Sequence, residues 1–517
     1  MSELSKIRKN GTDYDLKDAI ARKFIDGMNV ATPQMYGAKG DGITDDTAAI
    51  QACFDENNAV NFPCGTYMVS SAGLTLHSNM HITMDTKATI QRIADDATGK
   101  PLFVANECEN ITVEGGKIYG DLLSHSNLSE TEYGCHGFNF VHCHNIVLDG
   151  VEIAFHMGDS VRIGNGPTPS KNTTIRNCVF HDSHRHGVAV CGVDGFLIED
   201  TEIYGIKWLD EVDFETGYEG YPNTNCRIVG CWFHDPDPQG YSNNSGVVNN
   251  DCEGLLIRDC TLHRTVCFAT TTLFNSITDT ALCGDLNSMK IVGCLLNSLI
   301  TDDNAKKIFV SNCVFACDDD TKAINALLVS KTKATEKPLD VCIDKCVFVT
   351  SVIDNSLHRL FYYNEKPVNL RISNCDFVIR NGQALDLNAI ENVVAYNNTV
   401  KIEPSVENEN PFAITAGTAK NSRISNNIID ACELSATGIN GFIKIGTETV
   451  HLLNNVVLSQ SALGGVYGGN AIRLLATVKN ATICGNTFAA YPLLYYCNGS
   501  ETVVKQVNNT LSGDLTK

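Results

Sequence analysis

The sequence has no continuous run of about 18 apolar residues, so it predicts no transmembrane helix. Its first ten residues lack the apolar core of a secretory signal peptide. No phosphate-binding loop, dinucleotide-binding motif, zinc-protease motif or nucleophile elbow stands out. We therefore expect a protein that is made in a cytoplasm and is not inserted into a membrane. If it acts outside the cell, we expect it to leave by a route other than a signal peptide.

Positive charge is scarce as well. The chain has 39 lysine and arginine residues against 60 aspartate and glutamate residues, which gives a net charge of −21. Nucleic acids and acidic membranes repel such a surface. A strongly anionic substrate would need a local basic patch, whereas a neutral partner is easier to accommodate. The charge balance therefore argues against a nucleic-acid partner.

The 22 cysteines include no Cys-x-x-Cys pair. Short secreted domains use comparable numbers as a disulfide framework, but this chain is 517 residues long and shows no signal peptide. Many of the cysteines recur at one position of the repeat described next. We therefore expect them to be reduced, buried, small apolar residues without a metal or disulfide role.

A short repeat of the form apolar-x-(Asn/Asp/Gly)-(Cys/Asn/Gly)-x-apolar runs down the chain. Between Val113 and Ile483 there are 14 copies, about 28 residues apart on average, which is within the ~20–50-residue period of repeat folds. The clearest copies are residues 175–180, 228–233, 257–262, 291–296, 310–315, 343–348, 372–377, 424–429 and 483–488, and weaker copies begin at Val113, Leu148, Ile198, Ala395 and Leu453.

Each copy predicts a short strand, a tight turn and a second short strand. The alternating apolar residues would face inward, and Asn or Gly would supply the left-handed backbone angles of the turn. One coil cannot bury its own inner face, whereas stacked coils can. The 3.6-residue periodicity of a helical solenoid is absent. The sequence therefore predicts an all-β fold, a parallel β-helix.

Two helices are predicted before the repeats. Residues 15–25 have apolar side chains at an amphipathic spacing, at Leu16, Ala19, Ile20 and Phe24. We expect this helix to serve attachment or oligomerisation. A second helix is predicted over 46–54, with Asp45 or Asp46 as its N-cap, and it is placed to cover the open end of the solenoid.

These features divide the chain into three segments. Residues 1–30 are predicted to form the N-terminal helical segment, and residues 31–500 to form the β-helix domain. Residues 501–517 are predicted to be a polar C-terminal tail, because the sequence becomes polar there.

Residues 36–51 (YGAKGDGITDDTAAIQ) and 61–67 (NFPCGTY) resemble the entry motif of the pectate-lyase-like superfamily of right-handed β-helix proteins. This group includes polygalacturonase-like hydrolases, polysaccharide lyases and phage tailspike depolymerases. The resemblance implies a right-handed parallel β-helix and an action on polysaccharides. It is specific for the fold and weak for the activity. We expect Asp41, Asp45 and Asp46 of the motif to be turn and cap residues.

Two further segments carry a resemblance. Residues 184–190 (HRHGVAV) and 213–215 (DFE) are similar to an arrangement in many β-helix proteins of phages and gut bacteria, where the later block usually reads Gly-Ile-Asp-Ile/Phe-Glu-Pro. Here Glu211, Val212 and Thr216 depart from that pattern. Residues 7–22 resemble leader segments on tail proteins of Firmicutes prophages. These resemblances imply a homotrimer in a virion tail, joined to a tail or baseplate protein through the N-terminal segment and acting at a bacterial surface.

Aligning the coils by their inward apolar pairs (Phe138/Phe140, Val161/Ile163, Val188/Val190 and Val212/Phe214) places a column of polar residues beside and between them. We expect these residues to point outward, and they comprise His136, Asn139, Arg162, His186, Glu211, Asp213 and Glu215. No later part of the sequence shows the same density of ionisable groups. This column is therefore the candidate site.

The acidic residues of the column suit glycosidic-bond hydrolysis, which uses two carboxyl groups. Residues i and i+2 of a strand share a face at roughly 6.5–7 Å, so Asp213 and Glu215 fall near the ~6.5–9.5 Å of an inverting pair. Glu211 extends the row, and close carboxylates raise one another's proton affinity. A solvated acidic strand or a calcium site remains the alternative. We predict Asp213, Glu215 and Glu211 as catalytic residues.

Further residues near the column are predicted to assist. His184 and Arg185 are placed as catalytic helpers, in proton transfer and in orienting a sugar group. Arg162, Asn139, His136 and His186 are predicted to bind substrate, as are three aromatic residues of the 204–225 loop, Trp208, Tyr218 and Tyr221, because aromatic rings stack on sugar faces. Trp232 lies inside a repeat copy, where packing is the default interpretation.

Three functions remain open. The first is a glycoside hydrolase that cleaves a bacterial surface glycan without a cofactor. The second is a uronate lyase, in which Arg162, Arg185, a histidine or bound calcium would offset the sugar carboxylate. The third is a receptor-binding fibre that grips glycan without cutting it, since fold alone does not decide function. An enzyme of a free-living gut bacterium is a fourth possibility, which the missing signal peptide disfavours.

Overall fold

The strands stack as parallel coils. The computed structural model of the chain describes residues 6–9, 12–15, 30–94, 100–125, 134–235, 245–284, 288–301, 305–316, 327–329, 339–349, 361–363, 368–379, 385–386, 391–402, 414–416, 420–430, 443–458, 470–489, 493–498 and 502–512. From residue 59 onward the described strands form three long faces, along which equivalent strands of neighbouring coils pair in parallel. The predicted all-β parallel β-helix is confirmed.

The first face precedes the tight turn of each repeat. Its strands are Ala59–Phe62, His81–Met84, Glu109–Glu114, His144–Asp149, Ser170–Arg176, Val193–Glu199, Arg227–Val229, Leu255–Arg258, Thr271–Phe274, Met289–Val292, Lys307–Ser311, Leu339–Asp344, Val368–Ser373, Asn392–Tyr396, Asn421–Ser425, Thr449–Leu453, Asn480–Cys484 and Val503–Val507. The last of these pairs with Asn480–Cys484, so the stack continues past residue 500, where the sequence placed the end of the β-helix domain.

The second face follows the turn. Its strands are Gly65–Val69, Ala88–Arg92, Lys117–Tyr119, Glu152–Ala154, Val179–His181, Glu202–Tyr204, Trp232–His234, Val314–Ala316, Val347–Val349, Asp376–Ile379, Thr399–Ile402, Ile428–Asp430, Val456–Leu458, Thr487–Ala489 and Thr510–Ser512. Three longer strands, Thr261–Cys267, Ile277–Cys283 and Leu295–Thr301, continue from the second face into the third without a corner.

The third face closes each coil. Its other strands are Leu74–Thr75, Phe103–Asn106, Phe138–Val141, Val161–Gly164, Val188–Cys191, Val212–Glu215, Val247–Asn249, Leu327–Val329, Phe361–Tyr363, Leu385–Asp386, Ile414–Ala416, Ile443–Ile445, Asn470–Leu474 and Leu493–Cys497. Strands as short as these are not stable by themselves. Stacking stabilises them, because the stacked coils bury one continuous apolar core.

Core packing follows from equal register in successive coils. The rings of Phe315, Phe348 and Phe377 stack with centroids 4.7 and 4.8 Å apart. The turns confirm the predicted left-handed backbone, since Asn177 has φ 54° and Gly230 has φ 65°. A Cβ on Gly230 would lie 2.5 Å from Oδ1 of Asp200, so this turn also requires a residue without a side chain.

Cysteine and asparagine share one buried position after the turn. Cys178, Cys231, Cys260, Cys294, Cys313, Cys346 and Cys375 occupy it first, and Asn398, Asn427, Asn455 and Asn486 occupy it in later coils. The cysteines within the described residues are free thiols, and most of them are buried. The prediction of reduced, buried cysteines is thus confirmed for this part of the chain.

The predicted second helix is confirmed at Thr47–Glu56, where its Phe54 packs on Phe62 of the first coil. Asp46 occupies the N-cap position, but its carboxylate accepts the N–H groups of Lys39 and Gly40 instead. Asp45 accepts the Thr47 N–H at 3.0 Å. These acidic residues hold turns, as the sequence predicted.

The N-terminal segment is described only in part. Lys6–Lys9 and Thr12–Asp15 form an antiparallel strand pair. The helix predicted over 15–25 lies outside the described residues beyond Asp15. Short 3₁₀ helices occur at Pro33–Tyr36, Leu122–Ser124 and Tyr218–Gly220, and a further strand at Asp41–Asp45. No helix among the described residues is long and apolar enough to cross a membrane.

Candidate functional site

Five strands of the third face carry the candidate site. They are β1 (Phe138–Val141), β2 (Val161–Gly164), β3 (Val188–Cys191), β4 (Val212–Glu215) and β5 (Val247–Asn249). The strands pair in the predicted register: Phe138, Val161, Val188 and Val212 stack, as do Phe140, Ile163, Val190 and Phe214, and all eight side chains are buried. The alignment of the coils by their inward pairs is therefore confirmed.

The outward row between these pairs contains Asn139, Arg162, Ala189 and Asp213 in successive coils. Arg162 lies two coils from Asp213, about 10 Å at the usual spacing of neighbouring strands. Asn139 and Arg162 are half-buried, whereas Asp213 is only 5% exposed. The structure thus places three predicted site residues on one row, with the carboxyl group in the most sheltered position.

Asp213, Glu215 and His186 come close together. One ligand atom of each lies within 4.8 Å of the others. Nε2 of His186 is 3.7 Å from Oδ2 of Asp213, and Nδ2 of Asn250 donates to Oδ1 of Asp213 at 3.0 Å. The two carboxyl groups are therefore closer than the strand spacing predicted, because that spacing measures the backbone and these side chains converge.

The surroundings of this cluster favour one proton on the carboxyl pair. Burial, together with the carboxylates of Glu215 and Asp210, raises the pKa of Asp213 well above its usual range. Burial also raises the pKa of the Cys191 thiol to about 12, so Cys191 stays protonated and donates to Oε2 of Glu215 at 3.5 Å. Asp213 therefore suits the role of an acid.

A buried polar ladder lies two residues before each of these strands. It comprises His136, Asp159, His186, Asp210 and Ser245, all shielded from solvent. The side chain in each of the first four coils accepts the N–H group of the ladder residue in the next coil, at 3.0, 3.3, 3.3 and 2.8 Å. The ladder therefore fixes the corner from which β2 to β5 begin.

The ladder also fixes the orientation of His186. Because Nδ1 of His186 accepts the Asp210 N–H, Nε2 carries the ring proton and faces Asp213. Burial lowers the pKa of His186, which keeps the imidazole neutral. His136 and His186 were predicted to face solvent and bind substrate, but both are buried. Their place in the ladder is the physical reason.

Asp159 and Asp210 belong to the ladder and were missed in the sequence. Burial opposes the charge of Asp159, but His136 and Arg185 outweigh it and lower its pKa. Burial raises the pKa of Asp210 to about 7. Each ladder residue lies two positions before the first inward residue of its strand, and this constant spacing is the signal that the sequence offers. The spacing does not show that the residues are buried, because they lie at a corner, where alternation no longer separates inward from outward side chains.

Arg185 and His184 lie at the corner before β3. Nη1 of Arg185 is 3.5 Å from Oδ1 of Asp159, and only 13% of the Arg185 side chain is exposed. The guanidinium group therefore stabilises the buried Asp159. The ring of His184 lies 5.6 Å from that of Trp208, a contact between the corners of successive coils. The roles predicted for both residues in catalysis stay predictions.

Glu211 does not face solvent as predicted, because its side chain is fully buried. The position directly before the strand is occupied by Gly137, Ser160, Gly187 and Gly246 in the neighbouring coils. Glu211 is therefore a large side chain at a position where the neighbouring coils have small residues. Neither of its carboxyl oxygens makes a hydrogen bond within the described residues, and Oε2 is 3.7 Å from Nε2 of a histidine, His263. Burial raises its pKa well above the usual range.

Glu211→Gln should make the protein less sensitive to alkaline pH. A carboxyl group whose pKa is raised in the fold adds stability below its unfolded pKa of about 4.3 and loses it as pH rises. We expect the wild-type thermal midpoint to fall between about pH 5 and pH 8, since a buried carboxylate without hydrogen bonds costs about 1–3 kcal/mol or more. The variant should be more stable at the higher pH. The exposed Glu253→Gln is the control, and equal pH slopes in all three proteins would contradict the prediction.

The aromatic residues lie at both ends of β4. Trp208 is half-buried at the corner before the strand, and Tyr218 and Tyr221 follow it, with Tyr218 57% exposed. The 204–225 segment is therefore not one loop, because β4 divides it. Trp232 also differs from its default interpretation, since its ring is half exposed on the second face.

A divalent cation would find ligands in the same cluster. Carboxylate oxygens and an imidazole nitrogen are common metal ligands, and His186, Asp213 and Glu215 provide all three within reach of one ion. The raised pKa of the buried Asp213 opposes such binding, since a ligand must be deprotonated. The cluster therefore supports either proton transfer or a cation, and the two can be separated by experiment.

Comparison with known proteins places the site within a recognised fold. A family model described as rhamnogalacturonase A/epimerase, pectate lyase-like, matches residues 28–115. A second model, right handed beta helix region, matches residues 102–280 and includes β1 to β5. The handedness predicted from the resemblance agrees with this description.

The matched proteins differ in name and source. The prophage-derived uncharacterized protein YorA of Bacillus subtilis is 30% identical over 176 residues, 29% of this chain and 30% of that protein. The pre-neck appendage protein of Bacillus phage phi29 is 31% identical over 29% of this chain and 20% of its own length. Alginate lyase 7 of Azotobacter vinelandii is 29% identical over 36% of this chain and 22% of its own length.

The chain thus spans less than a third of the length of these relatives. Their names describe a prophage-derived protein, a phage pre-neck appendage protein and an alginate lyase, and the matched family models describe pectate lyase-like and right-handed β-helix proteins. The predicted resemblance to right-handed β-helix proteins of the pectate-lyase-like type, phage appendage proteins among them, is confirmed.

Proposed function

We propose that the chain binds a complex glycan along the outer side of β1 to β5 and cleaves it as a glycoside hydrolase. Asp213 acts as the general acid and Glu215 as the second carboxylate. The observation that carries this proposal is the environment of Asp213, an almost buried carboxyl group held against Glu215 and His186. An acid that keeps its proton near neutral pH can protonate the leaving oxygen of a glycosidic bond.

The spacing of the pair favours a retaining mechanism. Oxygens of Asp213 and Glu215 lie within 4.8 Å, closer to the ~5–5.5 Å of retaining pairs than to the ~6.5–9.5 Å of inverting pairs. Asp213 gives its proton to the leaving sugar oxygen while Glu215 attacks the anomeric carbon. Water, deprotonated by Asp213, then releases the product with its configuration retained.

Substrate binding would use the residues around the pair. Arg162 and Asn139 extend the outward row, and aromatic rings at both ends of β4 offer faces for sugar stacking. The phage appendage relative supports the proposal that this chain is part of a virion tail and acts at a bacterial surface. A homotrimer, and attachment to a tail or baseplate protein through the N-terminal segment, stay predictions from the resemblance.

Two other functions have specific support. A polysaccharide lyase acting on uronates is favoured by the alginate lyase relative, with Arg162 offsetting the sugar carboxylate and calcium held by His186, Asp213 and Glu215. A glycan-binding fibre without catalysis is favoured by the phage appendage relative, whose name describes a structural part.

A panel of bacterial capsular and exopolysaccharides tests these functions together, read for new reducing ends and for the ultraviolet absorbance of an unsaturated uronate. We expect reducing ends without that absorbance, products of retained configuration by NMR, and no loss of rate with a chelator. Both signals rising together, with loss of rate on chelation, would establish a lyase. Binding without either signal would establish the fibre for that glycan.

A further inference from the structure

A column of stacked rings crosses the outer side of the second face. The ring centroids of His181 and Tyr204 are 5.0 Å apart with planes 4° from parallel, and Tyr204 and His234 follow at 5.2 Å and 18°. His234 then stacks on Trp232 at 3.8 Å and 23°. The strand register produces the column, because His181, Tyr204 and His234 are paired in successive coils.

Trp232 is the open end of this column. Its side chain is 50% exposed, whereas the imidazole of His234 beneath it is 19% exposed. Tryptophan offers the largest apolar face among side chains and is usually buried for that reason. A rigid, half-exposed indole on a strand is therefore placed to bind a flat apolar surface of a ligand.

Carboxylates hold the imidazoles beneath the indole in fixed orientations. Nε2 of His234 is 2.9 Å from Oε1 of Glu202, and Nδ1 is 2.8 Å from Oδ2 of Asp235. Nδ1 of His181 is likewise 2.9 Å from Oδ2 of Asp182. These contacts lock the rings before any ligand arrives, which lowers the entropic cost of binding.

The edge of the column is polar and mostly acidic. It combines the carboxylates of Glu152, Asp182, Glu202 and Asp235 with the ammonium groups of Lys117 and Lys207, which are 2.7 Å from Glu152 and Asp182 respectively. Such groups can accept hydrogen bonds from hydroxyls. An excess of carboxylates repels polyanions, in keeping with the net charge of −21.

We infer that Trp232 and the rings beneath it form a second glycan-binding platform, which takes a neutral pyranose. A pyranose ring offers an apolar face of C–H groups for the indole and hydroxyls for the surrounding carboxylates. The inference deepens the proposed function, because the platform would hold another part of the polysaccharide that is cleaved at Asp213. The segment between Tyr204 and β4, which contains Trp208, connects the two surfaces.

Affinity electrophoresis in gels that contain dextran, yeast mannan or galactan tests the platform directly. We expect Trp232→Ala to weaken binding to at least one of them by about tenfold, the upper end for one aromatic contact. Ile277→Ala is a matched control, because Ile277 is 47% exposed and lies on the same outward row two coils away. Polygalacturonate is a polyanion, and Trp232→Ala should not change how far it retards the protein.

Fluorescence gives a second and independent measurement. The chain has two tryptophans, so Trp208→Phe leaves Trp232 as its one indole emitter. We expect titration with the bound neutral polysaccharide to change the emission of this variant saturably.

Two electrophoresis results would overturn the inference: no neutral polysaccharide retards the wild type, or Trp232→Ala and Ile277→Ala weaken binding equally. It would also be overturned if the emission of Trp232 did not respond to the polysaccharide. A fourth such result is a change of oligomeric state in Trp232→Ala, measured by analytical ultracentrifugation. The last would make this row a subunit contact. Failure of the proposed hydrolase activity can be distinguished from failure of this inference. In that case Asp213→Asn and Glu215→Gln would leave cleavage unchanged, while the response of Trp232 persisted.

Discussion

Replacing Asp213 with asparagine should slow cleavage of the glycan by about 10²–10⁴-fold, the usual contribution of a general acid. The amide keeps the size of the side chain and can still contact Asn250, but it has no acidic proton to give. Binding should change little, since Asp213 is nearly buried and contributes little contact area. Initial rates of reducing-end release and a binding titration on the same polysaccharide measure the two effects separately.

Glu215→Gln should cause a loss of similar size for a different reason. As nucleophile, Glu215 forms the bond to the anomeric carbon, and an amide cannot replace it. The two variants should also differ on a substrate with an activated leaving group, which needs little protonation. There Asp213→Asn should recover much of the rate and Glu215→Gln should not.

Asp376→Asn is the matched control for both variants, because Asp376 is an exposed aspartate on a strand far along the solenoid. It should cleave at the wild-type rate. If Asp213→Asn retained the wild-type rate, the role of Asp213 as the acid would be wrong. If binding fell as far as cleavage in both variants, the site would be a binding surface and not a catalytic one.

The sequence predicted the register of the solenoid well, for a physical reason. Alternating apolar residues recur along the solenoid, and most coils have a residue with φ > 0 at the turn. Both features can be read directly from the sequence. The inward pairs from Phe138 to Phe214 could therefore be aligned by sequence alone. The outward row of Asn139, Arg162 and Asp213 followed from that alignment.

The corners of the coils could not be predicted in the same way. Alternation ends where the chain turns, so a residue one or two positions before a strand can point in either direction. Glu211 and His186 were placed outside for this reason and are buried. The separation of Asp213 from Glu215 was also misjudged, since side-chain convergence depends on neighbours such as Asn250 that come from another coil.

Trp232 shows the opposite error. Its place inside a repeat copy suggested packing, because most apolar residues of the copies are buried. Its register, however, pairs it with Glu202 on the outward side, and the alternation that placed Phe233 inside could have revealed this. What the sequence could not show is the ring column beneath Trp232, since its members are 23 to 30 residues apart in the chain.

The buried asparagine ladder should make the later coils sensitive to a single substitution. Oδ1 of Asn427 accepts the backbone and side-chain N–H groups of Asn398 at 3.0 and 2.9 Å. Nδ2 of Asn427 donates to the carbonyl oxygen of Ala395 at 3.1 Å and to Oδ1 of Asn455 at 2.9 Å. Asn427→Ala removes these partners, and each buried group left unpaired costs about 1–3 kcal/mol.

We expect Asn427→Ala to destabilise the surrounding coils by about 3–5 kcal/mol. Asn421→Ala is the control from the same coil, because Asn421 is exposed and should cost less than about 0.5 kcal/mol. Hydrogen exchange measured coil by coil is the right readout, since it shows which coils lose stability, whereas a thermal midpoint does not.

Exchange in Asn427→Ala should accelerate in the coils from Asn392 to Leu453 and remain unchanged in β1 to β5. Each coil contacts only its neighbours, so damage near Asn427 should fade long before it reaches Asp213. Glycan cleavage at low temperature should then persist in the variant. Acceleration throughout β1 to β5 would show that the solenoid unfolds as one unit, and an unchanged exchange rate at Asn398 would show that its N–H groups do not depend on Asn427.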